Sequence, residues 1–448
     1  MSRSTDDLPE VLSYRDLVRI RTQLDLKGRT STFSERIRSE RGAGIDGLHY
    51  RRVLGPIDRE VFVTDHEGAT RPMLMFGSNN YLGLATHPVV VERVRRAALR
   101  YGVGVGGPPI LNGYGPLQRE LEERLADLEE MESALVYGSG YAANVGLMSA
   151  LPGPKDLAVY DERSHASFLD GLKLGRIGGR SFAHNDLKAL DQALEEVSGD
   201  HQDIFVGVEG VYSMSGDLAR LDRIADISQQ HGAILVVDDA HGTGVTGPRG
   251  HGTIAMFDVS DKVDVVMGTF SKSFSVSGGF VTASKDIVDY LRYFSRSYVF
   301  SASLSPSVCA AVIAGLDVLE DEPEVHGALS DNTAYLAQQL QAIGLEGNGL
   351  TAIFSLPVPR TTDVRAAAHD FHRRGLFLNH VEAPAVPISD QRFRISVSAT
   401  HTKDDLDRLI EAVDDVWNIH VRPFADDSAA EVALQPNDGA LDAFEGGF

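Results

Sequence analysis

The sequence predicts an α/β fold in which helices cover both faces of a mostly parallel central sheet. The first observation is an alternation of short apolar runs with helical segments between residues 133 and 283. The second is that Glu209 and Asp238 each end such a run, where the functional groups of parallel sheets collect. The third is residues 264–281, DVVMGTFSKSFSVSGGFV, which predict a strand, a polar turn that carries Lys272, and another strand.

Length and composition are typical of a globular enzyme of two domains. The chain has 448 residues, 43% of them hydrophobic, which is enough for one large core or two moderate cores. Its formal net charge of -22 argues against a nucleic-acid surface, and no apolar run approaches the ~20 residues of a membrane-spanning helix. The start, MSRSTDDLPE, is polar and acidic, so no signal or transit peptide is predicted. A single cysteine, Cys309, excludes an internal disulfide and favours a reducing cytoplasm.

Shifts in composition along the chain predict four parts. Residues 1–71 form a helical, partly basic N-terminal segment, 72–305 a large domain, 306–424 a smaller C-terminal domain, and 425–448 an acidic disordered tail. Within the first part, residues 15–41 hold eight basic residues against four acidic ones. On so acidic a protein this reversal of sign indicates either a solvated helix face or a docking surface for an anionic partner.

The start of the large domain is predicted to contain a strand, a turn, two helices and a glycine-rich loop. Residues 72–84, PMLMFGSNNYLGL, run from a short strand into a turn rich in asparagine and glycine. A helix follows from about His87 to Tyr101, then the loop GVGVGGPPILNGYG, then a helix from Pro116 to Glu130. Proline suits the first turn of that second helix, and its leucines recur on one face.

The next strand and helix predict a phosphate site. A strand from Ser133 to Tyr137 leads into GSGYAA, which opens a helix whose first backbone amides can bind an anion. The same letters satisfy the dinucleotide pattern G-x-G-x-x-A, and Asp161 ends the following strand, where a ribose-binding acid would lie. This motif alone therefore leaves a nicotinamide cofactor open beside other phosphate-bearing cofactors.

The turn that carries Lys272 favours pyridoxal phosphate (PLP). A free lysine titrates near ~10.4, so its amine becomes a nucleophile only where its surroundings remove the proton. Gly-Thr-x-x-Lys followed by Gly-Gly is typical of the lysine that forms a Schiff base with PLP, with Thr269 reaching the phosphate. Asp238 would keep the ring nitrogen protonated, and His241 would form a hydrogen bond with the phenolic oxygen of the ring.

The C-terminal part is predicted as a smaller unit of helices and strands. After Ser305 the alternation of the large domain ends, and a domain boundary is predicted there for that reason. Its predicted elements are a helix at 307–320, strands near 351–356 and 392–397, and helices near 362–374 and 403–418.

Several motifs together resemble the alpha-oxoamine synthase family of PLP-dependent enzymes. In chain order they are SNNYLGL, YGSGYAANVG, DERSHASFLDG, EGVYSMSGD, VDDAHGTGVTG and GTFSKSFSVSGGF, within a resemblance that covers roughly residues 72 to 420. The family includes aminooxononanoate synthase, aminolevulinate synthase, aminoketobutyrate ligase and serine palmitoyltransferase. The resemblance implies PLP as the cofactor and the aspartate-aminotransferase fold, known as fold type I. It also implies a homodimer with active sites at the subunit interface.

Carried over by motif, the resemblance assigns four catalytic residues. Lys272 would form the Schiff base, and His165 would stack on the PLP ring. Asp238 would pair with the ring nitrogen and His241 with the ring oxygen. No metal site is implied.

The other residues assigned by the resemblance bind phosphate and substrate. The phosphate of the same subunit would be approached by Gly140, Tyr141 and Thr269, and that of the partner subunit by Ser301 and Ser303. The ring and substrate would be lined by Glu209 and Ser213, and the carboxylate of the amino acid would be bound by Asn79 and Arg394.

The implied reaction condenses a small L-amino acid with an acyl thioester of coenzyme A or a carrier protein. In most of the family carbon dioxide is lost and an alpha-amino ketone results. The chain departs from the family pattern at Pro108, Pro109, Gln118 and Ser215, so the amino acid and the acyl group stay open. The alternatives are a PLP-dependent aminotransferase or lyase, more remotely an NAD-dependent oxidoreductase, and a non-catalytic subunit, which the presence of Lys272 disfavours.

Overall fold

The computed structural model describes residues 20–42, 48, 50–64, 68–383 and 386–424. The predicted tail, 425–448, lies outside the described residues, as do Arg15 and Arg19 of the basic segment. The described part of that segment contains helix α1 (Leu26–Gly42), whose described side chains are largely exposed. Its use as a docking surface stays a prediction.

The first described strands form a small antiparallel meander. Strand β1 (Arg52–Leu54) pairs with β2 (Glu60–Thr64), and β2 pairs with β3 (Thr70–Met75). On β2, Val61 and Val63 are buried and the residue between them is exposed. This period of two covers one face of the meander and leaves the other face in solvent.

A seven-stranded sheet forms the centre of the described molecule. Its strands are β4 (Ser133–Tyr137), β5 (Leu157–Asp161), β6 (Gly178–Phe182), β7 (Ile204–Glu209), β8 (Ile234–Asp238), β9 (Val265–Thr269) and β10 (Gly279–Ala283). Their spatial order is β4-β10-β9-β8-β7-β5-β6. Neighbours from β9 to β6 are parallel, and β10 runs antiparallel to both β9 and β4. The carboxyl ends of the parallel strands therefore share one edge.

Helices pack on both faces of this sheet. Between residues 72 and 305 the structure has helices α2 (Pro88–Tyr101), α3 (Pro116–Leu128), α4 (Gly140–Ala150), α5 (Ala166–Gly175), α6 (Leu187–Val197), α7 (Leu221–Gln230), α8 (Gly252–Phe257), α9 (Lys285–Phe294) and α10 (Arg296–Val299). Successive residues of β7, such as Phe205 and Val206, are buried in two separate hydrophobic clusters. The central strands are apolar almost throughout because both of their faces are covered.

The C-terminal part consists of long helices and a second small sheet. The helices are α11 (Pro306–Asp321), α12 (Pro323–Ala342), α13 (Val364–Arg373) and α14 (Lys403–Val416), and the strands are β11 (Ile353–Pro357), β12 (Leu376–Phe377), β13 (Asn379–Val381) and β14 (Arg392–Ser396). Strand β14 lies between β11 and β13 and is antiparallel to both. Strand β12 instead adds a parallel strand to β3, so the N-terminal meander joins the C-terminal part. The predicted domain boundaries stay a prediction.

The predicted α/β class and the mostly parallel sheet are confirmed. Several elements were not predicted, among them β1, β2, β6, α6 and α12. Strand β6 has the sequence GGRSF and buries only its last residue at the edge of the sheet, so it lacks the apolar run of the other strands. Helix α12 buries only Leu329, Thr333, Leu336 and Leu340 of its 20 residues, so its apolar stripe is narrow and begins late in the helix. None of the described helices is both long and apolar enough to cross a membrane.

Candidate active site

The carboxyl ends of three neighbouring strands bring the predicted site residues together. Glu209 ends β7, Asp238 ends β8, and the two residues are direct register partners. Asp238 also lies opposite Met267 of β9, so Thr269 and the turn to Lys272 begin at the same edge. The sheet therefore assembles two carboxylates and one amine that lie far apart in the sequence.

The amine of Lys272 and these two carboxylates alter one another's protonation. Glu209 and Asp238 are buried, and Lys272 is partly buried beside them. Burial lowers the pKa of Lys272, and the negative charges of Asp238 and Glu209 oppose that shift only in part. Burial also raises the pKa of Glu209, and the charge of Asp238 raises it further. Both shifts favour the neutral forms of the amine and of the Glu209 carboxyl group.

Glu209 is tied to the loop that follows β7. Its Oε2 accepts a hydrogen bond from the backbone amide of Ser213 at 3.1 Å. Its Oε1 is buried and has no hydrogen-bond partner among the described residues. The structure thus places the predicted pair Glu209 and Ser213 together and leaves one carboxyl oxygen available to a ligand.

Asn144, which the sequence analysis did not single out, fixes the position of Asp238. Its Nδ2 donates to Asp238 Oδ2 at 2.7 Å and to Ser167 Oγ at 3.0 Å. The Ser167 hydroxyl in turn lies 2.7 Å from His165 Nδ1. The other carboxylate oxygen, Asp238 Oδ1, accepts from the backbone amide of Ala240 at 3.1 Å. One buried asparagine therefore links the predicted ring-stacking histidine to the predicted ring-nitrogen carboxylate.

Tyr81 is a second residue that the sequence analysis did not assign, and it contacts three that it did. Its hydroxyl oxygen lies 2.8 Å from His241 Nδ1, 3.1 Å from Asn79 Oδ1 and 3.3 Å from Arg394 Nη2. Arg394 Nη2 also donates to Asn79 Oδ1 at 3.0 Å, whereas Arg394 Nε is buried without a partner in the described part of the chain. Burial, aided by nearby positive charges, lowers the pKa of His241, so its imidazole is neutral. The only sequence signal for Tyr81 was its place in the motif SNNYLGL.

The start of α4 has the close backbone packing that the predicted phosphate site requires. Ser139 caps this helix, because its hydroxyl accepts from the backbone amide of Ala142 at 3.0 Å. A Cβ atom on Gly140 would lie 2.8 Å from Thr269 Oγ1, and one on Gly279 would lie 2.6 Å from the backbone nitrogen of Gly140. Both positions need glycine so that Thr269, β10 and the helix start can approach closely. First-turn amides of this kind bind phosphate in other proteins.

Tyr141 lies on the open side of this site. Its ring makes an edge contact with His165, with 6.5 Å between the ring centroids. Its hydroxyl donates to Asp170, and its side chain is half exposed. The side chain therefore lies beside the predicted stacking histidine, and the approach of Tyr141 to a phosphate stays a prediction.

Ser301 and Ser303 lie on the segment between α10 and α11, not at the strand ends around Lys272. Ser301 lines a groove of about 460 Å³ together with Gly107 and Phe300. Ser303 donates its backbone amide to the Gly107 carbonyl at 3.0 Å, and its Oγ is buried without a partner among the described residues. Within the described residues no hydrogen bond joins either serine to the Lys272 cluster. Their service to a partner subunit stays a prediction.

The proline and glutamine departures from the family pattern lie in and after the glycine-rich loop. Pro108 precedes a single wide helical turn, Pro109–Gly113. Gln118 is buried on α3, where its Nε2 donates to Glu122 Oε1 at 3.3 Å. Pro108 lines the groove that also contains Ser301, and the effect of these residues on substrate choice stays a prediction.

His184 is at the centre of a cluster that the sequence analysis missed. Its Nδ1 lies 3.0 Å from Asp161 Oδ1, and its Nε2 lies 2.9 Å from Asp217 Oδ2. Burial by itself would lower the pKa of His184, but hydrogen bonds to the two carboxylates outweigh burial and raise it to about 9. Asp161 also accepts from the backbone amides of Arg163 and Asn185, so it is not free to bind a ribose. This arrangement removes the basis of the nicotinamide alternative.

We expect His184 to stabilise the fold at neutral and lower pH and to lose that effect in alkali. Because its pKa of about 9 in the folded protein exceeds the unfolded value of ~6.5, the stabilisation is complete below ~6.5 and is lost as the pH rises through about 9. The melting temperatures of the parent and of His184→Gln, measured as holoenzymes, should differ most near about pH 6 and least near about pH 9.5. His231→Gln is a matched control, because among the described residues His231 pairs with a single carboxylate, that of Asp191. A difference between parent and His184→Gln that does not change with pH would contradict a charged His184.

Known proteins are similar in sequence to this chain over most of its length. The family model described as aminotransferase class I and II matches residues 71–413. The serine palmitoyltransferase of Bacteriovorax stolpii is 38% identical over 342 residues, which are 76% of this chain and 81% of that protein. The 8-amino-7-oxononanoate synthase of Geotalea daltonii is 38% identical over 385 residues, which are 85% of this chain and 96% of that protein. The chain belongs to the alpha-oxoamine synthase family.

The fold and the cofactor of this alpha-oxoamine synthase follow from the same comparison. A high-resolution structure of serine palmitoyltransferase with PLP is 29% identical to the synthase and has a TM-score of 0.82, over 88% of this chain and 99% of that one. The aspartate-aminotransferase fold implied by the motifs is thereby confirmed, and PLP is the cofactor. The synthase is a PLP-dependent acyltransferase.

The residues around Lys272 fit this cofactor. The site combines an amine of lowered pKa, a buried carboxylate fixed by Asn144, a neutral His241 and a glycine-lined helix start. The orphaned Glu209 Oε1 and Arg394 Nε are buried polar atoms that a bound ligand would satisfy. The role of each individual residue stays a prediction.

Proposed function

We propose that the protein joins a small L-amino acid to the acyl group of a thioester, with release of carbon dioxide and the thiol, to give an alpha-amino ketone. The observation that supports this most is the meeting of Lys272, Glu209 and Asp238 at adjacent strand ends. PLP, when bound there, supplies a sink for the electrons of the bond that breaks at the substrate's α carbon. Asp238 would stabilise a proton on the ring nitrogen and so keep that sink available.

Arg394 and Asn79 are suited to orient the amino acid. Arg394 Nη2 is engaged by Asn79 and Tyr81, whereas Nε is without a partner among the described residues and can donate to a carboxylate. Arg394 also lies near enough for its positive charge to lower the pKa of Lys272. A carboxylate bound at Arg394 would therefore place the rest of a small amino acid beside the amine of Lys272.

We infer that Lys272 moves the proton at the α carbon. Its lowered pKa gives it a larger neutral fraction near pH 7 than a free lysine has, and a neutral amine can accept a proton. The α carbon then forms a bond to the acyl carbonyl carbon, and the carbon–sulfur bond breaks as the thiol leaves with a proton. The carboxylate carbon departs as carbon dioxide, and the α carbon takes up a proton in its place.

Products separate this proposal from a PLP-dependent aminotransferase or lyase, which would use the same amine and carboxylates. Purified holoenzyme is screened with glycine, L-alanine and L-serine for a change in the absorbance of bound PLP. Acyl-coenzyme A or an acyl-carrier protein is then added, and thiol and carbon dioxide are measured. Release of the two in equal amounts is expected. Conversion of the amino acid to an oxo acid, without release of thiol, would overturn the proposal.

We propose further that the enzyme is a cytoplasmic homodimer. The groove beside Ser301 has apolar walls that include Leu111 and Phe300, and Phe300 is 74% exposed. Exposed apolar surface of this kind favours an interface, and a second copy on the groove would bring its own phosphate site to Ser301 and Ser303. The single cysteine among 448 residues supports a reducing compartment.

Phe300→Glu should convert the dimer to monomer. A carboxylate in the apolar groove would have to be desolvated at the interface without a partner, which costs several kcal/mol (about 3–5 for an unpaired buried charge). The molar mass is measured by light scattering during gel filtration. Phe62→Glu is the matched control, because Phe62 is 51% exposed on the N-terminal meander and does not line the groove. A dimer of unchanged stability in Phe300→Glu would exclude this groove as the interface.

A further inference from the structure

The hydroxyl of Tyr81 contacts residues that serve two different functions in the proposed site. Tyr81 is fully buried in the loop after β3, and its hydroxyl contacts His241, Asn79 and Arg394 and also lies near the side chain of Ser396. His241 is the residue proposed for the ring oxygen, and Asn79 with Arg394 is the pair proposed for the substrate carboxylate. The phenol itself is not among the residues proposed to contact cofactor or substrate.

The hydrogen-bond inventory limits how these four side chains can be arranged. A guanidinium only donates, so the Tyr81 oxygen accepts from Arg394 Nη2 at 3.3 Å. The one hydroxyl hydrogen of Tyr81 then goes either to Asn79 Oδ1 at 3.1 Å or to His241 Nδ1 at 2.8 Å. Only one of these two acceptors can receive the hydrogen in a linear bond.

Three observations favour His241 as the acceptor. The contact with Nδ1 is the shorter of the two, and Asn79 Oδ1 already accepts from Arg394 at 3.0 Å. An imidazole nitrogen is a stronger base than an amide oxygen, and a phenol oxygen is a poor acceptor for a second donor. The pKa of His241 is lowered mainly by burial and, to a smaller extent, by the charges of Lys272, Arg394 and His165. The ring is therefore neutral and has one nitrogen free to accept.

We propose that Tyr81 is a positioning residue whose hydroxyl donates to His241 Nδ1 and so fixes the tautomer that carries its hydrogen on Nε2. In this tautomer Nε2 is a donor toward the ring oxygen of PLP, and in the other tautomer it is an acceptor that would repel that oxygen. The contact of Arg394 with the same hydroxyl withdraws electron density and makes Tyr81 a better donor. This inference rests on the proposed function, because His241 has its task only if PLP binds at Lys272.

The tautomer can be measured without any substrate. Full-length holoenzyme labelled with nitrogen-15 histidine is studied by solid-state NMR, and the signals of His241 are assigned by their loss in His241→Asn. The parent should show hydrogen on Nε2 and none on Nδ1. Hydrogen on Nδ1 in the parent would overturn the proposal, whether or not any variant folds.

Tyr81→Phe tests the consequence for the cofactor. It removes the hydroxyl and keeps the buried ring, and we expect a mixture of the two His241 tautomers. In a fraction of the molecules the ring oxygen of PLP then has no hydrogen-bond donor from His241 and keeps more negative charge. That charge favours protonation of the nitrogen atom through which Lys272 holds the cofactor. The pH midpoint of the absorbance change of bound PLP should therefore move upward, by about half a unit or more.

Tyr137→Phe is the matched control for this experiment. Tyr137 is also buried, and its hydroxyl donates to Ser295 Oγ at 3.2 Å, with no described contact to His241. Its removal should leave both the tautomer and the midpoint unchanged. Equal midpoints in parent and Tyr81→Phe would overturn the role of Tyr81 toward the cofactor. Neither readout needs turnover, so failure here is distinct from failure of the proposed condensation.

Discussion

Replacement of Lys272 by alanine should abolish turnover and leave the protein folded. The amine lies close enough to Glu209 and Asp238 for both charges to act on it, burial lowers its pKa, and the proposed reaction uses it both to bind PLP and to move the α proton. Loss of a positioned proton-transfer group alone costs ~10²–10⁴ in rate, so we expect a decrease of at least about 10³-fold. The measurement is release of thiol from the acyl donor by the purified variant.

Two further lysine variants distinguish loss of the positive charge at Lys272 from loss of the reacting amine. Lys272→Arg keeps a positive charge beside the carboxylates, but a guanidinium does not lose its proton near neutral pH, so this variant should also be inactive. Lys262→Ala removes a lysine that pairs with Asp226 at 2.8 Å on another part of the surface, and it should turn over like the parent. Substantial turnover by Lys272→Ala would exclude this lysine as the reacting amine.

The elements at the edge of the sheet were predictable because their signals are local. Strand β9 and the turn after it are legible as an apolar run, a threonine, a lysine and paired glycines within 264–281. Glu209 and Asp238 each end a buried strand, and parallel pairing of such strands brings their ends together whatever the helices between them. Polar residues at the ends of such strands can therefore be predicted to meet from the order of apolar runs in the sequence.

The residues that position the site were not predictable in this way. Tyr81 and His241 are 160 positions apart, and Asn144 and Asp238 are 94 apart. Their pairing depends on which helix lies over which strand and on its rotation, and neither is written in the local pattern. A buried tyrosine or asparagine in a sequence indicates core packing until its partner is known.

Asp161 shows how a local motif misleads without its partners. By sequence it ends a strand after a glycine-rich turn, as a ribose-binding acid does. In the structure both of its oxygens are engaged by His184. The N-terminal meander is a second case of long-range pairing, because β3 pairs with β12, which is about 300 residues later in the chain. Long-range pairing decides which of two local interpretations is correct.

Replacement of Asp238 by asparagine should leave PLP bound and suppress exchange of the substrate's α proton. A neutral amide cannot stabilise a positive ring nitrogen, so the electrons left at the α carbon have no sink. The proposed phosphate site at Gly140 and the amine of Lys272 are unchanged in this variant, and they should retain the cofactor. Removal of one preorganised electrostatic group costs ~10²–10³ in rate, and a loss of this size is expected.

The local hydrogen bonds sharpen this prediction. Asp238 uses both carboxylate oxygens, one for Asn144 Nδ2 at 2.7 Å and one for the amide of Ala240 at 3.1 Å. Asparagine offers a single oxygen, so one of these donors loses its acceptor and the link to His165 through Asn144 loosens. Deuterium exchange at the α carbon of glycine, alanine or serine, followed by proton NMR, measures the effect without the acyl donor. Asp264→Asn is the matched control. The Asp264 carboxylate accepts a hydrogen bond from the Leu235 amide at 2.8 Å and is not near Lys272 in the sheet, because it precedes β9, whereas Lys272 follows it, so this variant should exchange like the parent. If Asp238→Asn exchanged as fast as that control, another residue would have to serve the ring nitrogen.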